Sequence, residues 1–247
     1  DKGGYILTYD YDKWSFIDPK EAQKKLNLPR NPRDYTSIAV TTDDSNDEIV
    51  YASSMGDGVI QYKNGTPVQS YNEKNAFKET AGGYGSGYCY IDGLAFDKNG
   101  NLWMTSSEVN HAVLVLDKAG AWHRLDIEQL RGVYTINDIL ITSTNDKWIY
   151  VPRNTPKLVM IPNSESIDEV SSYEFTTLID TDGKELTPSN YTCVAEDKDG
   201  YIWVGTNRGA VYFTKPRISS AEDKAATRCT RVKYTNEETG NLAYFLD

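Results

Sequence analysis

One pattern recurs along this chain and constrains its fold more than any other feature. Its sharpest copy runs from Tyr191 to Tyr212. It has a strand-like Tyr191-Thr192-Cys193-Val194-Ala195, a turn at Asp197-Lys198-Asp199-Gly200, a strand Ile202-Trp203-Val204-Gly205-Thr206 and, past Gly209, a third strand ending in Tyr212. A second copy starts at Tyr90, with the turn Asp97-Lys98-Asn99-Gly100 and the strands Leu102-Trp103-Met104-Thr105 and Val113-Leu114-Val115-Leu116. Two more worn copies start at Ile136 and Tyr35. They carry Trp148-Ile149-Tyr150-Val151 and Val50-Tyr51-Ala52-Ser53 as the second strand. Tyr51, Trp103, Tyr150 and Trp203 align, at intervals of about fifty residues.

Each copy implies the same mechanical parts. A slender apolar strand is followed by a tight turn rich in Asp, Asn and Gly, which tolerate the positive φ that short hairpins need. The next strand carries a central aromatic, and a third strand follows. A fourth comes from Ala121–Asp126, Ser172–Thr176 or Cys229–Tyr234. Four antiparallel strands per repeat of this length predict an all-β fold, a β-propeller. The blades are expected at 35–75, 90–127, 135–180 and 191–235, with a partial blade joining 1–18 to 241–247. That layout fits a five-bladed propeller or a fragment of a seven-bladed one. The aromatics should fill the gaps between twisted blades. Helical signal is confined to Pro19–Leu28, opened and closed by proline, and to a turn at Ile127–Leu130.

Composition removes several function classes. The net charge is −10, whereas a nucleic-acid partner or an anionic membrane surface calls for a basic stripe. No apolar run is long enough to span a membrane. The chain enters strand-like sequence directly after Asp1-Lys2-Gly3-Gly4, as an excised or mature piece would, and it ends in what looks like the approach to another blade. Unpaired edges of such a piece would be covered by further blades or by a second copy, a homodimer. Cys89, Cys193 and Cys229 have no metal-ligand spacing. They read as buried free thiols, or as one disulfide that includes Cys193–Cys229 or Cys89.

Blade topology places the Asp97–Gly100 and Asp197–Gly200 turns on one face. Their spacing superficially resembles a calcium loop, but such a loop needs further ligands and a glutamate at its twelfth position. Hairpin turns are expected, with no metal and no cofactor. The opposite face, the mouth of the central channel, collects the candidate ligand-binding residues Asp57, Tyr84, Tyr88, Asn110, His111, Arg153, Asn154, Asn207 and Arg208. Tyrosine platforms beside Asn and Arg suit a neutral or anionic sugar. The glycine-rich Ala81–Tyr88 segment lacks the Lys-Ser/Thr and helix of a phosphate loop and reads as an inserted loop. No catalytic residue is assigned. His123 lies beside Trp122 on an edge strand and is expected to be exposed, and no nucleophile–base–acid spacing is found. The enzyme alternative is a metal-dependent lactonase or lyase propeller, which would draw on Asp57, Glu108, Asn110 and His111.

The Tyr191–Tyr212 copy resembles the two-component-regulator propeller repeat, in which a strand ending in Asp is followed by Gly, an Ile-Trp-Val-Gly-Thr strand, a further Gly and a strand ending in Tyr. The Tyr90 copy is a partial match. The Tyr35 and Ile136 copies depart from the Trp-Val-Gly-Thr core. Within that family, Asp92-Gly93-Leu94-Ala95-Phe96-Asp97 and Ile139-Leu140-Ile141-Thr142 resemble the PorZ-type propeller proteins of the Bacteroidetes type IX secretion system. The resemblance implies a non-catalytic binding module of the cell envelope, periplasmic or at the cell surface. Its partners would be carbohydrate, lipopolysaccharide or envelope proteins. It equally implies the alternative of a periplasmic sensor domain of a hybrid two-component regulator that recognises an oligosaccharide.

Overall fold

The computed structural model describes residues 4–10, 12–32, 34–77, 88–235, 240 and 242–244. The chain divides into two compact units, Asp1–Tyr134 and Thr135–Asp247, and each is treated by itself.

The first unit opens with the hairpin β1 (Ile6–Asp10) and β2 (Lys13–Ile17). Ile6 lies opposite Ile17, and Tyr9 opposite Trp14. Side chains alternate across a strand, so Ile6 and Ile17 face inward while Leu7, Tyr9, Trp14 and Phe16 remain exposed. The inward pair packs in a core that also holds Ala22 of helix α1 (Pro19–Leu26). Asp18 starts this helix by accepting the Lys20 N–H at 2.9 Å, and Asn27, in the left-handed region, closes it. The helix thus ends two residues before the predicted Leu28, because Asn27 supplies the stop.

Strands β3 (Tyr35–Thr42), β4 (Glu48–Gly56), β5 (Gly58–Lys63) and β6 (Thr66–Tyr71) pair antiparallel in sequence order. So do β7 (Cys89–Phe96), β8 (Leu102–Ser106), β9 (Val113–Leu116) and β10 (Trp122–Leu125). The end of β4 passes from its own sheet to β7, with Met55 opposite Tyr90 and Gly56 opposite Cys89. Every residue of β8 and β9 is buried, the mark of strands covered on both faces. Aromatics fill the seam between the two sheets. Tyr51 meets Phe96 at 5.8 Å, and Tyr71 meets Trp122 at 5.5 Å. A single turn of 3₁₀ helix spans Glu128–Leu130, within the predicted turn.

The second unit repeats the arrangement. Strands β11 (Ile139–Ile141), β12 (Lys147–Val151), β13 (Lys157–Ile161) and β14 (Tyr173–Phe175) form one antiparallel sheet. The short hairpin β15 (Leu178–Ile179) and β16 (Glu185–Leu186) follows. A second sheet takes β17 (Tyr191–Glu196), β18 (Tyr201–Thr206), β19 (Gly209–Thr214) and β20 (Thr230–Arg231). Helix α2 (Ala221–Ala226), capped by Ser220, interrupts the last connection. Strand β21 (Lys233–Thr235) then pairs with β22 (Leu242–Tyr244). The fourth strand predicted over Cys229–Tyr234 is therefore shared between two sheets rather than continuous. The buried rings of Trp148, Phe175 and Phe213 stand within 6 Å of one another, at 5.9, 5.5 and 5.9 Å, where the two sheets meet.

The aspartate turns have a specific construction. Asp97 Oδ1 accepts the Asn99 and Asn101 N–H groups, and Oδ2 accepts the Trp103 indole N–H at 2.9 Å. Asp197 does the same with Asp199, Tyr201 and the Trp203 indole at 2.7 Å. One carboxylate thus closes the hairpin and anchors the aromatic six residues on. This explains why Asp, turn and Trp recur together in the sequence. Hydrogen bonding to the Trp203 indole, then to backbone N–H groups, holds the Asp197 carboxyl below the usual carboxylate range.

Three expectations need correction. All three cysteines are free, and Cys89 and Cys229 are buried, but Cys193 is exposed. Residues 192, 193 and 195 of β17 are exposed, so the apolar sequence there does not mean an inward strand. Burial pushes the Cys89 thiol up to about 12 and the Cys229 thiol up to about 11. In the native protein a maleimide should therefore label one thiol, Cys193. All three should react after unfolding, and intact-mass spectrometry counts them. His123, expected to be exposed, is half-buried on β10, with its Nε2 3.1 Å from Asp117 Oδ2. That carboxylate lies at the turn preceding the strand, within reach of its ring.

Candidate functional site

The best-organised polar cluster lies where β4 passes to β7. Gly56-Asp57-Gly58 forms the link between β4 and β5, with φ of +119° at Gly56 and +78° at Gly58. A Cβ on Gly58 would stand 2.1 Å from the Tyr71 carbonyl oxygen, so only glycine fits this turn. Ser54 Oγ accepts the Asp57 N–H at 3.3 Å and lies 3.4 Å from Asp57 Oδ2. These contacts fix the carboxylate. Its other oxygen accepts Arg30 Nε at 2.5 Å.

Arg30 comes from the loop after α1 and ties the cluster together. Its second terminal nitrogen donates to the Gly56 carbonyl at 3.3 Å, and its first lies 3.5 Å from the Tyr88 hydroxyl. The guanidinium carbon sits 4.8 Å from the Tyr88 ring centroid, a cation–π contact. Partial burial pulls the Arg30 pKa down, but the hydrogen bond and charge of Asp57 outweigh it and hold the guanidinium above its usual value. Beside it, Asn31 Oδ1 is buried with no hydrogen-bond donor among the described residues. The result is a fixed, half-buried cation on an aromatic ring, suited to binding by stacking and by hydrogen bonds to oxygen.

The structure thus joins two of the predicted residues, Asp57 and Tyr88, through Arg30, which is not among them. Tyr84 and the rest of the 81–87 segment lie outside the described residues. Asn110 and His111 share the β8–β9 turn. In the second unit, Arg153 and Asn154 are exposed in the β12–β13 turn. Asn207 is a turn-former: its Oδ1 accepts the N–H groups of Ser189 and Asn190 at 2.9 and 3.1 Å. Arg208 is exposed next to it.

One buried carboxyl stands apart from this cluster. Asp92, on β7, is 7% exposed and accepts the Ser107 hydroxyl at 2.7 Å. Burial, only partly offset by Ser107, pushes its pKa up to about 7. The unfolded group titrates near ~4. Between those values the native chain holds a proton that the unfolded chain has lost, so this group's contribution to stability falls as pH rises from about 4 to about 7. Asp92→Asn should remove that slope. Its Tm should exceed that of the wild type by roughly 5 °C at pH 8 and by much less at pH 4, read from thermal melts across pH.

Residues 185–208 match the family described as two component regulator propeller. No curated protein sequence matches the chain. Among solved structures it is similar to PorZ, a surface component of the type-IX secretion system of Porphyromonas gingivalis. The TM-score is 0.80 at 20% identity, over 100% of this chain and 33% of PorZ. The fold is a β-propeller. The same fold appears in the extracellular domain of BT3049 from B. thetaiotaomicron, described as a hybrid two component system. Here the TM-score is 0.56 at 17% identity, over 99% of this chain and 27% of that one. A protein of Bacteroides uniformis described as a 6-phosphogluconolactonase gives 0.50 at 11% identity, over 98% of this chain and 63% of its own. The chain therefore spans about a third of PorZ and about a quarter of the BT3049 domain. No helix among the described residues is long and apolar enough to cross a membrane.

Proposed function

We propose that this chain is a non-catalytic propeller binding module of a bacterial cell envelope, comparable in role to a secretion-system surface component. It takes a carbohydrate, a lipopolysaccharide or an envelope protein. The observation that carries this reading is the Arg30 guanidinium, stacked on Tyr88 and tied to Asp57. A guanidinium recognises oxygen-rich ligands, and the Asp57 carboxylate beside it is engaged in the ion pair. The likeness to PorZ over the whole chain supports the envelope setting. A second copy covering exposed strand edges is the assembly this reading carries, and sedimentation would measure it.

The sensor reading draws support from the match of residues 185–208 and from the BT3049 likeness. A glycan array separates the two. One short oligosaccharide bound tightly favours the sensor, whereas binding to long polysaccharide or to protein partners alone favours the surface component. A lactonase panel with added Ca²⁺ or Mg²⁺ tests the enzyme alternative. Metal-dependent turnover lost in Asp57→Ala or His111→Ala would overturn the non-catalytic reading.

A further inference from the structure

The second unit holds a cleft of about 670 Å³ between its two four-stranded sheets. It is distinct from the Arg30 cluster, and it opens among the hairpin turns 142–146 and 197–200 and the segment that follows β19. Its floor is apolar, formed in part by Trp148, Ile202 and Ile218, all buried. Its volume falls in the range of small-molecule sites.

The charges around the cleft are unevenly satisfied. Glu196 accepts Ser143 twice, from the N–H and the hydroxyl, each at 2.6 Å. Asp146 accepts the Asn163 N–H at 2.8 Å and the Thr144 hydroxyl at 2.6 Å. Glu196, on β17, thus bonds across to the β11–β12 turn, while Asp146 is engaged within its own sheet, and Asp199 and Lys198 add one charge of each sign. Lys215 and Arg217, from the segment that follows β19, also line the cleft, are exposed, and form no ion pair among the described residues. The lining thus carries three cations, Lys198, Lys215 and Arg217, beside three carboxylates, Asp146, Glu196 and Asp199, and Asp146 and Glu196 already accept hydrogen bonds from the protein.

The backbone at Lys215 is held in an unfavourable state. Its φ is +45°, and Pro216 follows, whose ring disfavours helical backbone in the residue before it. A strained non-glycine residue persists only where its surroundings fix it. Here the Lys215 side chain lies against Gly200, where a Cβ would meet its Cε at 3.5 Å.

We propose that this cleft binds a small organic oxyanion. A carboxylate or phosphate head would be held by the Arg217 fork and the Lys215 ammonium, with the ligand body over the apolar floor. A planar guanidinium pairs both kinds of oxyanion through two parallel bonds, and an ammonium adds a point charge.

The test is calorimetry on the full chain at low ionic strength. The probes are inorganic phosphate, glucose 6-phosphate and glucuronate, with glucose as the neutral control. At least one anion should bind and glucose should not. The tighter of glucose 6-phosphate and glucuronate identifies the head group. Arg217→Ala should weaken binding at least about tenfold, the loss expected for a charge-assisted contact. Lys215→Asn, which keeps a residue tolerant of positive φ, should weaken it too. Both side chains are exposed, so both variants should melt with the wild type. Lys74→Ala, at an exposed lysine of the first unit outside both clusters, should bind these anions unchanged. Absence of binding by every anion up to about 10 mM, equal affinity in Arg217→Ala, or glucose binding as tightly as the anions would each overturn the proposal.

Discussion

Trp148→Ala should be the most damaging single truncation in the second unit, at about 3–5 kcal/mol, with a fall in Tm of roughly 10 °C. Trp148 is 1% exposed. Its indole meets Phe175 at 5.9 Å and Phe213 at 5.5 Å, so one side chain joins β12, β14 and β19 across two sheets. Removing it leaves a void that two large rings cannot close without leaving their own packing. Trp203 provides the contrast. It is only half-buried, lies tilted against Tyr212 of its own sheet at 4.8 Å and is held by Asp197. Trp203→Ala should cost about 1–2 kcal/mol, because much of its area already faces water. Thermal and denaturant melts of the two variants side by side would check the ratio. Equal losses would mean that inter-sheet packing does not dominate.

The second large effect is expected at Gly58. Alanine there must adopt φ +78° and place its Cβ 2.1 Å from the Tyr71 carbonyl oxygen. The left-handed backbone alone costs about 1 kcal/mol for a residue with a Cβ. The overlap is with backbone of β6, which cannot move without breaking its pairing to β5. Gly58→Ala should therefore cost more than about 3 kcal/mol. Gly65→Ala is the control: its φ is +74°, but nothing lies within 4 Å of the added carbon, and it should cost only about 1 kcal/mol. Gly58 adjoins Asp57, so the same substitution should also separate Asp57 from Arg30. A melt together with the binding assay for the first-unit cluster reads both consequences.

The blade pattern was legible because its cause is local. Asp97 and Asp197 bond to atoms two to six residues away, so turn and aromatic appear together in the chain. Alignment by Tyr150 found the right strand but missed its main packing residue. Trp148 fills the space between the sheets with its ring, whereas Tyr150 crosses to the second sheet through its hydroxyl, which donates to the Thr192 carbonyl at 3.1 Å. Both residues are aromatic on the same strand and both meet the second sheet, and only the rings of Phe175 and Phe213 around Trp148 distinguish them. Arg30 was missed as a site residue for a related reason. Its partners lie 27 and 58 positions away, and no short motif marks a lone arginine after a helix. The exposure of Cys193 was illegible because Tyr191–Glu196 has the composition of an inward strand. Helix α2 was also not foreseen, as its six residues are too few to show a helical period and none is buried.

The most direct test of the binding-module account is calorimetry of the whole chain and its Arg30→Ala variant against a panel of envelope polysaccharides and short oligosaccharides. The account predicts that the wild type binds at least one member without turning it over. It also predicts that Arg30→Ala, still folded by its melting curve, loses at least about tenfold in affinity. Unchanged affinity in that variant, or consumption of the ligand during the titration, would contradict it.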